Sequence, residues 1–301
     1  MRLSCRFLLI LLCAFFSAVV LGGCGLDMRF EPTYPTHLTL KDSHIGVYSS
    51  KWPDDEKETV GTQFHINHTW NWSRQGDGYR LSRRLDTLIA RGYHKNSMPN
   101  ELERKVGITI DFDSDMRPGQ VAGYDTLHAV LKGIPQQKPE WKSQLLDLSD
   151  TIQLQKSQRD LWRLFGFMPK NTDLELHQKL DVSGLNQRLE TFQADSAQFL
   201  GRQPRLGKSC LDLEVKYHRR DSLVLMREQF FNSTAAARKL RNARLDLADI
   251  KGIWVISVDR KTGMPCYWSQ TEIGDLPVKD TAAHVDTTIQ LIRFEEDVVQ
   301  Y

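Results

Sequence analysis

The feature that most constrains the fold is a strictly alternating segment near the start of the chain. Phe64, Ile66, His68, Trp70 and Trp72 recur at every second position, and polar side chains fill the positions between them. This period of two is typical of a β-strand buried on one face. Gln75-Gly76-Asp77-Gly78 then supplies turn chemistry, so a returning strand is predicted over 79–89.

Further strands are predicted on both sides of the centre by the same reasoning. They cover 106–112 with a return over 121–127, then 211–217, 223–231, 252–258, 265–273 and 285–294. Turns are expected at 113–119, 218–221 and 259–263. The segment 233–247 stays ambiguous, because its alanine-rich core favours a helix while the flanking strands favour a sheet.

The middle of the chain has a helical period instead. Apolar residues recur at spacings of three and four between 139 and 200, and Gly166 to Pro169 interrupts them. Ser183 is in position to cap a further helix that carries Leu185 and Phe192 and ends at Gly201. A helical insert of about three helices is therefore predicted.

The two β-rich ends share a pattern in which a Gly-Ile strand leads into a turn that begins with aspartate and ends with glycine. This pattern is compatible with two related β units and equally with turn chemistry shared by unrelated hairpins. The segment from Val258 to Pro265 resembles one found in exported bacterial proteins with curved antiparallel sheets, some of which carry lipid or lipoprotein cargo. The predicted class is α+β, a twisted antiparallel sheet with a helical insert in the middle.

The N-terminus has the order of a secretory signal peptide: Arg2 and Arg6, an apolar run over 7–21, and small residues before Cys24. Leu21-Gly22-Gly23-Cys24 resembles the lipobox of bacterial lipoproteins cleaved by signal peptidase II. That resemblance implies removal of 1–23, palmitate-type acylation of Cys24 and anchoring to a membrane. In this family an aspartate after the cysteine retains the protein at the inner membrane. Gly25 stands there, so the expected location is the outer membrane, facing the periplasm.

These observations give the expected organisation. It comprises a signal peptide (1–23), a lipidated cysteine with tether and first strand (24–58), a β-rich first half (59–135), a helical insert (136–205) and a β-rich second half (206–301). The leader holds two arginines and no acid, so the net charge of +2 falls to zero in the mature part. A neutral chain lacks the basic excess that binds phosphate backbones, which argues against a nucleic-acid partner.

Two cysteines remain after Cys24, namely Cys210 and Cys266. An even number in an exported chain favours a disulfide between them, with two buried thiols as the alternative.

No motif predicts a metal or another cofactor. His65 and His68 fall on opposite faces of their strand, so they are poorly placed to share an ion. Asp111, Asp113 and Asp115 lack the glycine and glutamate of a calcium loop, and aspartates bonding their own backbone explain them better. No Gly-X-Ser-X-Gly elbow of a hydrolase is present.

Four tryptophans on predicted strand faces are the candidate ligand face: Trp70, Trp72, Trp254 and Trp268. Such residues are core in most proteins, but they also line apolar sites. The sequence thus predicts a non-catalytic envelope lipoprotein that binds an apolar ligand or a partner protein on a sheet face. The alternatives are a structural or assembly lipoprotein without a ligand site and an envelope hydrolase.

Overall fold

A computed structural model of the chain describes residues 29–53, 59–92, 106–132, 151–221, 243–245, 248–280 and 285–301. The strands are β1 His37–Lys51, β2 Thr59–Gln75, β3 Gly78–Gly92, β4 Ile108–Phe112, β5 Pro118–Ala122, β6 Lys179–Leu180, β7 Gln193–Arg205, β8 Lys208–Asp221, β9 Ala243–Leu245, β10 Ala248–Asp259, β11 Pro265–Asp280 and β12 Val285–Gln300. The helices are α1 Tyr124–Lys132, α2 Thr151–Phe165 and α3 Ser183–Asn186.

The described strands form one antiparallel sheet in the order β5-β4-β3-β2-β1-β12-β11-β10-β8-β7-β6, with β9 pairing with the end of β11. The first and last long strands are neighbours, since β1 pairs with β12 from Lys41↔Gln300 to Lys51↔Gln290. This pairing joins the two β-rich halves at the centre of the sheet. A large antiparallel sheet is therefore confirmed as the dominant architecture.

The alternating strand is confirmed as β2, and it turns into β3 where Gln75 faces Gly78. Gly76 lies in the left-handed region with φ of 59°, which explains why the turn needs glycine. The strands predicted over 211–217, 252–258, 265–273 and 285–294 are also present, and each extends further than predicted.

Two structural elements near these strands were predicted wrongly. The return strand after β4 ends at Ala122, and α1 begins at Tyr124 instead of the strand continuing to 127. The turn predicted at 218–221 is the end of β8. Residues 222–242, including the strand predicted over 223–231, lie outside the described residues.

The helical insert is only partly present. Helix α2 ends at Phe165, where Gly166 was predicted to interrupt, but α3 ends at Asn186 and β7 follows. The helix predicted to run from Ser183 to Gly201 is therefore wrong. Strand β7 has bulges between Ala194 and Ser196 and between Phe199 and Gly201. The first bulge places the buried residues Ala194 and Ala197 three apart, which interrupts the alternation of the strand.

The two hairpins that suggested related β units occupy different positions. The β4–β5 hairpin is at the edge of the sheet, whereas β10–β11 is inside it. The similar turns therefore do not occupy equivalent positions in the sheet.

The larger apolar core lies between α2 and one face of the sheet, which we call the inner face. Trp162 of α2 packs against Trp70 with ring centroids 5.6 Å apart and against Phe112 at 5.1 Å. A smaller core cluster occupies the same face further along the strands and includes Tyr48 and Leu291.

Candidate functional site

A belt of charged and polar side chains crosses the inner face between the two apolar clusters. Strand pairing brings the belt together from distant parts of the chain, since His44 faces Asp297 and Gly46 faces Glu295 across β1 and β12. We call this set the polar belt: Asp42, His44, His68, Arg83, Tyr217, Arg219, Gln270, Glu272, Arg293, Glu295 and Asp297. Buried charges are rare unless they are paired.

Two carboxyls form the centre of the polar belt. Asp42 and Asp297 are 4% and 2% exposed and hydrogen-bond to each other. Asp297 Oδ1 is buried and has no donor among the described residues. Burial raises the pKa of Asp42 to about 6, although Arg83 opposes the shift. Burial also raises the pKa of Asp297, and the nearby Asp42 adds to that effect. The pair is thus built to hold a proton at mildly acidic pH.

A histidine flanks each carboxyl. Asp42 accepts a hydrogen bond from the His68 backbone N–H at 2.9 Å, and its other oxygen lies 3.2 Å from His68 Nδ1. Burial, followed by Arg83, lowers the pKa of His68 to about 3, so this ring is neutral. His44 Nδ1 lies 3.5 Å from Asp297 Oδ2. Burial opposes the charged form of His44, but the surrounding carboxylates outweigh it and raise its pKa.

The other half of the polar belt is an ion network around Glu272. Arg219 donates two hydrogen bonds to Glu272, of 2.9 and 3.0 Å, and Arg293 donates a third at 3.1 Å. Burial alone would raise the pKa of Glu272, but the two guanidinium groups overcome it and lower the pKa to about 2. Arg293 also bonds Glu295 at 2.9 Å. Each charge of the network is thus paired, although Arg293 Nε has no acceptor among the described residues, and these bonds order the floor of the site.

A glycine makes part of this network possible. Gly252 of β10 faces Tyr217 on one side and Glu272 on the other. A Cβ at Gly252 would overlap the Tyr217 ring, so the bare backbone lets this ring cross over β10. The Tyr217 hydroxyl thereby donates to Glu272 at 2.7 Å and accepts from Gln270 at 2.6 Å.

A cavity of about 430 Å³ lies between the polar belt and α2. The helix contributes Leu154, Ser157, Gln158 and Leu161, and Ser157 is exposed at the rim. Aromatic rings form one wall. Trp254 stacks on Trp268 with centroids 5.3 Å apart, and Phe192 lies 6.2 Å from Trp254.

Two indole N–H groups of the lining have no acceptor among the described residues. They are Nε1 of Trp70 and Nε1 of Trp254, in side chains 3% and 8% exposed. Buried Trp N–H groups normally find a partner. Both N–H groups therefore lie beneath the surface of the cavity lining without an acceptor in the described protein.

The four tryptophans predicted as a ligand face fall into two groups, one at the cavity and one in the core. Trp70, Trp254 and Trp268 line the cavity. Trp72 is fully buried, stacks on Tyr79 and donates to the Pro35 carbonyl at 2.9 Å, so it belongs to the core. The expectation of a ligand face thus fails at Trp72, because α2 covers this end of the sheet.

Cys210 and Cys266 are both buried free thiols, and they are close enough to hydrogen-bond to each other. The structure brings the predicted pair together without a bond between the sulfurs, so the disulfide stays a prediction. Cys24 and the signal peptide lie outside the described residues.

The remaining candidates have ordinary structural roles. Asp113 accepts hydrogen bonds from the backbone N–H groups of Asp115 and Arg117, as expected for a turn. His65 bonds Ser43 at 2.8 Å, away from His68. Within the described ranges, no group of three His, Cys, Asp or Glu side chains is arranged to hold a metal ion. None of the helices described is long and apolar enough to cross a membrane.

Sequence reasoning missed the carboxyls and arginines of the polar belt. One signal was available in β12, where Leu291, Arg293, Glu295, Asp297 and Val299 alternate. Charges that share a strand face with buried apolar residues indicate a polar site inside the protein. The strand was predicted to end at 294, which hid this pattern.

No protein-family model matches the chain, and no curated protein sequence matches it. Among solved structures, lipovitellin, described for its lipid–protein interactions, has a TM-score of 0.43 and 10% identity. The match covers 91% of this chain and 26% of lipovitellin, so the chain spans about a quarter of that protein. DynF from the dynemicin pathway of Micromonospora chersina has a TM-score of 0.17 and 10% identity over 89% of this chain and 83% of DynF. These scores are too low to support a shared fold or function.

Proposed function

We propose that the protein is a lipid-anchored lipoprotein of the bacterial envelope that binds a small molecule in the cavity between the polar belt and α2. The observation that carries the binding function is the cavity of about 430 Å³ itself, which has Trp70, Trp254 and Trp268 in its lining beside the charged groups of the polar belt. The anchoring part rests on the lipobox at Cys24.

The character of the lining refines the sequence-based expectation of an apolar ligand. Aromatic rings form one wall, but carboxyls and guanidinium groups form the floor. Small-molecule sites combine apolar walls with a few placed polar groups in this way. The proposed ligand therefore carries polar groups as well as an apolar surface.

The binding function is tested with the mature chain carrying Cys24→Ala and a variant that also carries Ser157→Trp. Ser157 is exposed at the rim, so an indole there blocks the cavity without disturbing the core. Both chains are dialysed against a small-molecule extract of bacterial envelopes, and retained molecules are measured by mass spectrometry. We expect a molecule retained by the open chain and lost from the blocked one.

Equal retention by the two chains, or none by either, would contradict the proposal and leave a structural or assembly lipoprotein. Matching thermal unfolding curves for the two chains would establish that Ser157→Trp changes the cavity alone.

The carboxyl pair favours a second candidate, an envelope hydrolase. Two aspartates that share a proton are the acid–base unit of aspartic proteases. The same dialysis experiment separates the two functions, because a binding protein returns its ligand unchanged. Conversion of the retained molecule by the open chain, abolished by Asp42→Asn, would establish the hydrolase instead.

A further inference from the structure

The N-terminal segment of the described chain lies against the turn between β10 and β11. The Thr33 backbone N–H donates to the Lys261 carbonyl at 2.7 Å, and the preceding Phe30 is buried in the larger core. Only four residues separate Arg29 from Cys24, the proposed site of lipidation. An extended chain spans at most about 3.6 Å per residue, so Arg29 lies within about 18 Å of that cysteine. On the basis of the proposed anchoring at Cys24, this end of the sheet therefore faces the membrane.

The turn between β7 and β8 belongs to the same end of the sheet. The Arg260 backbone N–H donates to the Ser209 carbonyl at 2.9 Å, which joins this turn to the one between β10 and β11. A depression of about 330 Å³ lies here. We call the residues that line it the tether patch: Arg29, Glu31, Arg202, Ser209, Arg260 and Lys261.

The tether patch has more basic than acidic side chains. Its one carboxylate, Glu31, is paired with Arg29 at 2.6 Å. The other three basic residues form no ion pair within the described ranges: Arg202, Arg260 and Lys261. Asp259 of the adjacent turn is buried and accepts from the Lys261 backbone N–H at 3.0 Å, so it is bonded within its own turn. Three basic side chains therefore remain for a partner.

The tip of the turn between β7 and β8 adds an apolar side chain. Leu206 lies in the turn between Arg205 and Lys208 and is 53% exposed. Its φ of 50° is in the left-handed region, where glycine or asparagine is the usual residue. Basic groups beside an apolar tip suit the surface of an anionic membrane. There the cations meet headgroup phosphates, and the apolar side chain enters the boundary of the acyl chains.

We infer that the tether patch and Leu206 dock against anionic lipid headgroups of the membrane that holds Cys24. One basic residue near an anionic surface strengthens binding about fivefold. Three such residues give an affinity of about millimolar order. This affinity suffices because the anchor keeps the patch at a high effective concentration beside the membrane. Docking holds the anchored chain in one orientation.

The test is co-sedimentation of the mature chain carrying Cys24→Ala with vesicles made of equal parts of phosphatidylglycerol and phosphatidylcholine. Vesicles of phosphatidylcholine alone show whether binding needs the anionic headgroup. Physiological salt is used, because it screens charges further apart than about 8 Å and so isolates groups at the contact. The patch variant carries Arg202→Gln, Arg260→Gln and Lys261→Gln.

A matched control variant removes the same charge elsewhere. It carries Arg84→Gln, Lys216→Gln and Lys251→Gln, at exposed positions within β3, β8 and β10. A third variant, Leu206→Asn, removes the apolar tip and keeps a residue that accepts a positive φ. Thermal unfolding curves that match the parent chain establish that each variant is folded.

We expect binding to the anionic vesicles, reduced about 100-fold in the patch variant and less than about fivefold in the control variant. Leu206→Asn should weaken binding about fivefold, because part of the leucine surface is then no longer removed from water. Equal losses in the patch and control variants, equal binding to the neutral vesicles, or no binding to the anionic ones would overturn the inference. Unchanged binding of Leu206→Asn would exclude the leucine from the docking surface. In each case, a palmitate label at Cys24 and retention lost on Ser157→Trp would still uphold the proposed function.

Discussion

Replacing Asp42 by asparagine tests whether the buried carboxyl pair holds a proton. The pKa of Asp42 is raised from 3.8 to about 6 in the folded protein, chiefly by burial. Folding therefore favours the protonated carboxyl. The contribution of the protonated Asp42 carboxyl to the free energy of unfolding is fully present below about pH 3.8. This contribution is lost as the pH rises through about 6. A difference of about two pH units corresponds to about 3 kcal/mol.

Asparagine imitates the protonated carboxyl and does not titrate. Its oxygen can accept from the His68 backbone N–H, and its amide can donate to the Asp297 carboxyl. The free energy of unfolding of Asp42→Asn, minus that of the wild type, should therefore increase by about 3 kcal/mol between pH 3 and pH 7.

Urea denaturation of both chains at one-unit pH intervals measures this difference. Taking the difference removes the effect of Glu272, because its partners Arg219 and Arg293 are the same in both chains. The control is Asp275→Asn, which replaces an exposed aspartate of β11 and so measures the effect of losing an aspartate outside the pair. A difference that stays constant with pH, or that decreases towards pH 7, would refute the assignment of a shared proton to the pair.

Three further predictions concern the core, the cysteines and the anchor. Trp72→Ala should cost about 3–5 kcal/mol in urea denaturation, because this side chain is fully buried beneath α2; a loss below about 1 kcal/mol would contradict its place in the core. Cys210 and Cys266 should be oxidised in the exported protein, so maleimide should label neither after denaturation without reductant and both after reduction. Labelling of both before reduction would leave them as buried thiols. Cys24→Ala should abolish incorporation of a palmitate analogue and release the protein in soluble form, and retained label would exclude lipidation at this cysteine.

Much of the sheet could be predicted from residue patterns, because a strand buried on one face alternates within its own sequence. Strand β2 and the β10–β11 hairpin are of this kind, and their turns also carry glycine where the backbone requires it. Strand β7 was harder to predict because its first bulge places two buried residues, Ala194 and Ala197, three apart and interrupts the alternation.

The polar belt could not be assembled from the sequence, because its members meet only through long-range pairing. Asp42 and Asp297 come from strands at opposite ends of the chain, and the register of β1 against β12 places them together. Local patterns do not determine which distant strands become neighbours. The pattern in β12 could indicate a buried charge, but not its partner.

The most direct test of the account is fluorine NMR of the mature chain labelled with 5-fluorotryptophan. The chain has seven tryptophans, so each resonance can be assigned by a single Phe substitution. The small-molecule extract of bacterial envelopes is then added in increasing amounts. The account predicts shifts at Trp70 and Trp254, which line the cavity, and unchanged resonances at Trp72 and Trp162, which belong to the core. Unchanged resonances at all four positions with every addition, or shifts at Trp72 and Trp162 alone, would contradict a ligand site between the polar belt and α2.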